Sequence, residues 1–154
     1  MTNQTLHQIK LAPDRAAQIR NLAAQEGVSM NTAIGKLFRA LYGHTDVPHD
    51  IPSIKINALA DGLTVRVEDN ETTGFSFETV AQIAQTLRAF LAGEHPGGRI
   101  VLACPTHGGT FAIWRRGTAF KIEIPAEAAE KNLTSDLLED LAAILEHEIA
   151  KTKA

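Results

Sequence analysis

Cys104 and His107 stand three residues apart in the segment Cys104-Pro105-Thr106-His107-Gly108-Gly109. At that spacing an imidazole can support a thiolate or share one ligand with the sulfur. A nucleophilic cysteine needs a base within reach and a third group to orient that base. The sequence offers neither of these partners in a recognisable pattern. A structural metal site needs about four ligands, and no Cys-x-x-Cys or second histidine pair completes one. The expectation is a small buried hydrophobe at a strand end beside a turn histidine, with no catalytic residue, no metal and no cofactor. An enzyme built on Cys104 and His107 is the alternative of a different class. His44 and His49, five apart in a proline-containing loop, make no better metal site. Gly108-Gly109 has no following lysine and opens no helix, so it is not a phosphate loop. Trp114-Arg115-Arg116 joins an aromatic to two cations and could stack on a base or hold an anion. Neighbours on a strand face opposite sides, which favours one core aromatic beside two solvated arginines.

The other chemistry-bearing residues are in the first forty-odd positions. Leu6-His7-Gln8-Ile9-Lys10-Leu11 alternates as a strand does, with Ile9 and Leu11 on the core face. Leu6, Gln8 and Lys10 then face outward. Gln pairs bidentately with adenine, Lys reaches guanine, and an apolar side chain meets a thymine methyl in a groove that admits a two-stranded ribbon. Pro13 suits the first turn of a helix carrying Ala16, Ile19, Leu22, Ala23 and Glu26 at helical spacing. Gly27 is a left-handed stop, and Ser29 a cap for a second helix. That helix has the apolar stripe Met30, Ile34, Leu37, Phe38 and Leu41. Ser29, Met30 and Asn31 occupy its N-terminus, where free N–H groups and the dipole favour a phosphate. Arg15, Arg20, Lys36 and Arg39 lie off the stripes, as sources of long-range attraction to DNA or as ordinary solubilising charges.

One strand and two helices in under forty residues cannot bury a core, and a lone strand leaves its ladder unpaired. Both faults vanish if two copies pair their strands and interleave their helices. Ile9 and Leu11, Pro13-Asp14, Leu22-Ala23 and Gly27-Val28-Ser29-Met30-Asn31 give residues 5–43 a resemblance to the ribbon-helix-helix superfamily of DNA-binding proteins, the Arc, MetJ and CopG type. The resemblance implies a βαα homodimer that binds double-stranded DNA. It implies base contacts for Leu6, Gln8 and Lys10, and a phosphate contact at Ser29, Met30 and Asn31. Nickel-responsive members carry a metal-binding domain after a similar start. The second half here lacks their dense His and Cys array, so that site is not transferred.

Charge is divided in the same way. Residues 1–45 hold five basic and two acidic side chains, a net +3, and residues 46–154 hold ten and sixteen, a net −6. A polyanion would meet the first part and be repelled by the second. Apolar runs are too short for a membrane span and no signal peptide is visible, so no membrane is expected. The single cysteine fits a reducing cytoplasm.

Gly43 to Ser53, GHTDVPHDIPS, reads as a linker. The expected organisation is therefore a DNA-binding domain at 1–45, a linker at 46–53 and a small α+β domain at 54–154. In the latter, Ile54–Ile56 and Leu63–Val67 flank Ala60-Asp61-Gly62 as a hairpin. Residues 69–74 read as a polar loop, followed by a helix capped by Ser76 and ended near Gly93. Arg99–Cys104, Thr110–Arg115 and Ala119–Ile124 form a meander. A last helix begins at Thr134, with Leu133 and Leu138 as a hydrophobic staple. The order ββαβββα predicts one antiparallel sheet with helices on one face. This domain would serve in oligomerisation, ligand sensing or partner binding.

Overall fold

The computed structural model describes residues 7–46, 48–95 and 98–152. The chain is α+β and divides into two compact units, Met1–His49 and Asp50–Ala154.

In the first unit, helix α1 covers Pro13–Glu26 and helix α2 covers Met30–Tyr42. Gly27 adopts φ 67°, a conformation that glycine enters without a Cβ clash. The Val28 and Gly27 N–H groups reach back to the Ala23 and Ala24 carbonyls at 3.0 and 3.3 Å, which satisfies the end of α1. Ser29 caps α2 by accepting the Thr32 N–H at 3.1 Å. The buried positions are Ala23, Ala33 and Gly35, all small, so the helices approach closely and enclose little apolar volume.

The expected N-terminal strand is absent from the single chain: residues 7–12 carry no regular structure and are exposed. Its physical requirement is a hydrogen-bonded neighbour, and the first unit contains no other strand among its described residues. Ile9, assigned to a core face, is 82% exposed and Leu11 43%. Leu6 lies outside the described residues.

Among its described residues the second unit has seven strands in two antiparallel sheets, where the sequence predicts one five-stranded sheet. β1 (Ile54–Ala58), β2 (Gly62–Val67) and β3 (Thr73–Ser76) form the first, in chain order. β4 (Ile100–Ala103), β5 (Thr110–Arg116), β6 (Ala119–Glu123) and β7 (Lys131–Leu133) form the second, also in chain order. Helix α3 (Phe77–Leu91) packs on β2, β3 and β4, and helix α4 (Ser135–Lys151) on β6, β7 and α3. Both sheets and both helices bury one shared core, with Leu63, Phe75, Leu87, Phe111, Ile122, Leu133 and Leu138 fully enclosed.

Two extra strands account for the difference in number. β3 falls partly in the polar loop read at 69–74, and Phe75 is its one large apolar residue. β7 is Lys131-Asn132-Leu133, a polar triplet held by its ladder to β6. Lys131 is buried there and its ammonium meets the Glu68 carboxylate at 2.8 Å. Thr134 does precede α4, but its hydroxyl donates to the Asp136 carboxylate at 2.5 Å, so it does not accept a helix N–H. The expected linker also ends early. Ile51 belongs to the core, and the Ser53 carbonyl accepts the Glu68 N–H at 2.8 Å.

Candidate functional site

Two constellations carry chemistry, one in each unit. In the first unit, Gln8 and Lys10 are exposed on the segment before α1. Ser29 is engaged as the cap of α2, with Met30 and Asn31 beside it on the first helical turn. The N–H groups at that position have no acceptor within their own helix, which is what an approaching phosphate requires. Arg15 donates to the Gln18 side chain at 2.7 Å. Lys36 reaches Glu26 at 3.4 Å and ties α2 to α1. Arg20 is exposed, and Arg39 is half-buried in the last turn of α2, where its charge suits the dipole.

The apolar stripe of α2 does not end up inside. Leu37 is 45% exposed, and Phe38 and Leu41 are each 56% exposed. With Ile9 and Leu11, five of the chain's eight exposed large hydrophobic residues belong to this unit among the described residues.

The second constellation surrounds Cys104, just after β4. The Cys104 N–H donates to Gly109 at 2.7 Å and the Cys104 carbonyl accepts from Gly108 at 2.9 Å, closing a tight turn. Gly74 on β3 bridges to Gly108, which brings the first sheet onto this turn. A Cβ at Gly109 would lie 2.1 Å from the Gly74 carbonyl oxygen and 2.8 Å from the Phe75 ring, so only glycine permits the approach. That approach places the sulfur at the N-terminus of α3. The Ser76 N–H donates to Cys104 Sγ at 3.2 Å. The Ser76 hydroxyl lies at 3.6 Å and the Thr106 hydroxyl at 3.4 Å.

His107 Nδ1 is 3.8 Å from Sγ and 2.7 Å from Thr106 Oγ1. On the other side of the ring, His107 Nε2 meets Asp61 Oδ1 at 3.1 Å. Asp61 comes from the β1–β2 hairpin turn, forty-six positions back along the chain. A cysteine, a histidine and an aspartate thus stand in the order nucleophile, base, orienter. The third group that the sequence does not disclose is Asp61, whose only local signal is its place in a hairpin turn.

Burial works against ionising Cys104. The donors from Thr106, Thr79 and Ser76 outweigh it and bring the thiol from an ordinary 9.0 down to about 5. The hydrogen bond to Asp61 holds His107 above the usual histidine range, against a smaller effect of burial. The same bond holds the Asp61 carboxyl below its ordinary value. The surroundings therefore favour the thiolate of Cys104 and the protonated form of the His107 ring.

Other sequence candidates are dispersed. The His49 ring stacks on Tyr42 at 4.3 Å, while His44 is exposed. Arg99 lies 5.7 Å over the Trp114 ring, and Arg115 lies over Phe120 on the opposite face, so Trp114-Arg115-Arg116 is not one cluster. Among the described residues no three His, Cys, Asp or Glu side chains gather as a metal site. No described helix is long and apolar enough to cross a membrane. Comparison with family models, with curated proteins and with solved structures found no match to this chain.

Proposed function

We propose that this chain is a homodimeric, sequence-specific DNA-binding protein of ribbon-helix-helix type, acting as a transcriptional repressor in the cytoplasm. One observation carries the reading. The first unit buries only small residues, while Ile9, Leu11, Leu37, Phe38 and Leu41 stay exposed on it. Burying each such side chain contributes about 1.5–3 kcal/mol, and a second copy is the partner that also supplies the missing ladder for residues 7–11. In that dimer Leu6, Gln8 and Lys10 line the ribbon's outer face and enter the major groove. The capped start of α2 at Ser29, Met30 and Asn31 takes a backbone phosphate. The acidic second unit stays off the DNA and serves assembly, a small ligand or a protein partner.

The reading is tested by selecting bound sequences from random duplex DNA with the purified protein. A symmetric recognised sequence, bound by a dimer in sedimentation, is the expected outcome. A monomer with no enriched sequence would remove the proposal. An antitoxin, or an accessory protein of a plasmid relaxosome or partition complex, shares the DNA-binding end and would differ in what the second unit binds.

A further inference from the structure

The DNA-binding reading leaves Cys104, His107 and Asp61 without a role. Their arrangement draws on three separate parts of the second unit: the β1–β2 turn, the start of α3 and the turn after β4. We propose that Cys104 is a peroxide-reactive thiolate, an oxidation site that takes hydrogen peroxide or a small alkyl hydroperoxide, with His107 as proton donor and Asp61 as the residue that positions it.

The covering of the sulfur selects the substrate class. Cys104 is 2% exposed. Above it lie Thr106, which is exposed, and His107, whose side chain is 16% exposed. In the same turn the backbone of Gly109 is packed against Gly74 and the Phe75 ring with no room for an added carbon. A sulfur this enclosed favours a small substrate, and a peroxide is hardly larger than the Thr106 hydroxyl it would displace. That hydroxyl touches both His107 Nδ1 and Sγ, the two atoms that the reacting oxygens must reach. The groups facing Sγ from α3 and its cap are the Ser76 N–H and the Ser76 and Thr79 hydroxyls. The turn contributes Thr106 and His107, with Asp61 behind the ring.

The step balances with the peroxide as oxidant. Sγ attacks the peroxide oxygen that carries a hydrogen, an S–O bond forms and the O–O bond breaks. The electron pair leaves on the second oxygen, which takes the Nδ1 proton of His107. Sulfur is oxidised to sulfenic acid, the peroxide is reduced to water or an alcohol, and His107 ends neutral. The chain holds no second cysteine, so the sulfenic acid cannot resolve to an internal disulfide. It persists until an external thiol reduces it by way of a mixed disulfide.

The test follows thiol loss in the full-length protein under hydrogen peroxide at pH 6, folded and in urea, with the remaining thiol alkylated after denaturation and counted by intact mass. A thiol at the ordinary 9.0 is about 0.1% ionised at pH 6 and one near 5 about 90%, roughly a 900-fold gain. Lower intrinsic nucleophilicity removes about 40-fold of it. The folded protein should therefore lose its thiol several-fold faster than the unfolded one, and an equal or slower loss overturns the proposal. Asp61 is 73% exposed, so Asp61→Asn leaves the fold intact. It should slow the folded reaction and move its pH midpoint upward, and an unchanged rate and midpoint would remove the His107 and Asp61 roles. A bulky maleimide should label the folded protein more slowly than the unfolded one. Faster labelling when folded would show a site open to larger substrates and sink the peroxide assignment.

Discussion

Gln8 and Lys10 are exposed in the chain, so truncating either leaves its packing untouched. In the proposed dimer each faces a base edge, and a good bidentate contact is worth about 1–3 kcal/mol of discrimination. Gln8→Ala and Lys10→Ala should fold normally, by circular dichroism, and lose most of their preference for the selected sequence over random DNA in a competition titration. Arg39→Ala should instead weaken binding to both DNAs alike and flatten the salt dependence. Full retention of the specificity ratio in the first two variants would show that this segment does not read bases. At Cys104 the residue-scale prediction concerns stability. Its folded value, about 5 against an ordinary 9.0, is depressed. The group therefore contributes stability that is fully present above pH 9.0 and lost as the pH falls through about 5. His107 is raised, so its contribution is present below its unfolded value and lost as pH rises through the folded one. The urea midpoint of the parent protein minus that of Cys104→Ala should accordingly grow from pH 5 towards pH 9. A flat difference across that range would mean the thiol is not ionised in the folded chain.

At the scale of elements, α2 and the turn after β4 make opposite demands. In the proposed dimer the outer stripe of α2 is covered by the second copy, and a charge placed on it should cost dimerisation before it costs helix. Leu37→Asp puts a carboxylate where the second copy would bury it. Sedimentation should show monomer, with DNA binding lost; a dimer of undiminished DNA affinity would place Leu37 outside the interface. The turn after β4 needs the absence of a side chain. Gly109→Ala drives a Cβ into the Gly74 carbonyl and the Phe75 ring. Overpacking of this kind costs about 1–3 kcal/mol. The same shift withdraws the Ser76 N–H from the sulfur, so thermal denaturation and the peroxide rate should fall together. A loss of stability with an unaltered peroxide rate would separate the turn from the thiol chemistry.

For the molecule as a whole, the two units differ in self-sufficiency. The second buries its own core, including Ile51 and Ile54, and satisfies its buried lysines with Glu68 and Glu130. Residues 50–154 should fold alone, remain soluble and leave duplex DNA unbound, since fifteen acidic side chains face ten basic ones. Binding by this fragment as tight as that of the full chain would transfer the function to Trp114, Arg115 and Arg116. The first unit has no comparable interior, and its folding should depend on protein concentration, as it does for obligate dimers.

What the sequence by itself determined is local. Pro13, Gly27 and Ser29 mark where α1 begins, where it stops and where α2 starts, because a fixed φ, a left-handed φ and a capping hydroxyl each act within one turn of helix. The β1–β2 hairpin and the bodies of α3 and α4 follow equally from spacing, since their apolar residues recur with the period of the element. Tertiary structure decided what depends on distant partners. β3 and β7 are too short and polar to show a period, and exist because β2 and β6 offer them ladders. They complete the two sheets, β3 beside β2 and β7 beside β6. The N-terminal segment illustrates the converse: its alternation is legible, yet residues 7–12 form no strand in a single chain, because a strand is a property of a pair. Asp61 belongs to the same class. Nothing near it in sequence marks it as the partner of His107, and only the closure of the hairpin turn over the segment after β4 brings carboxylate, imidazole and thiol into line.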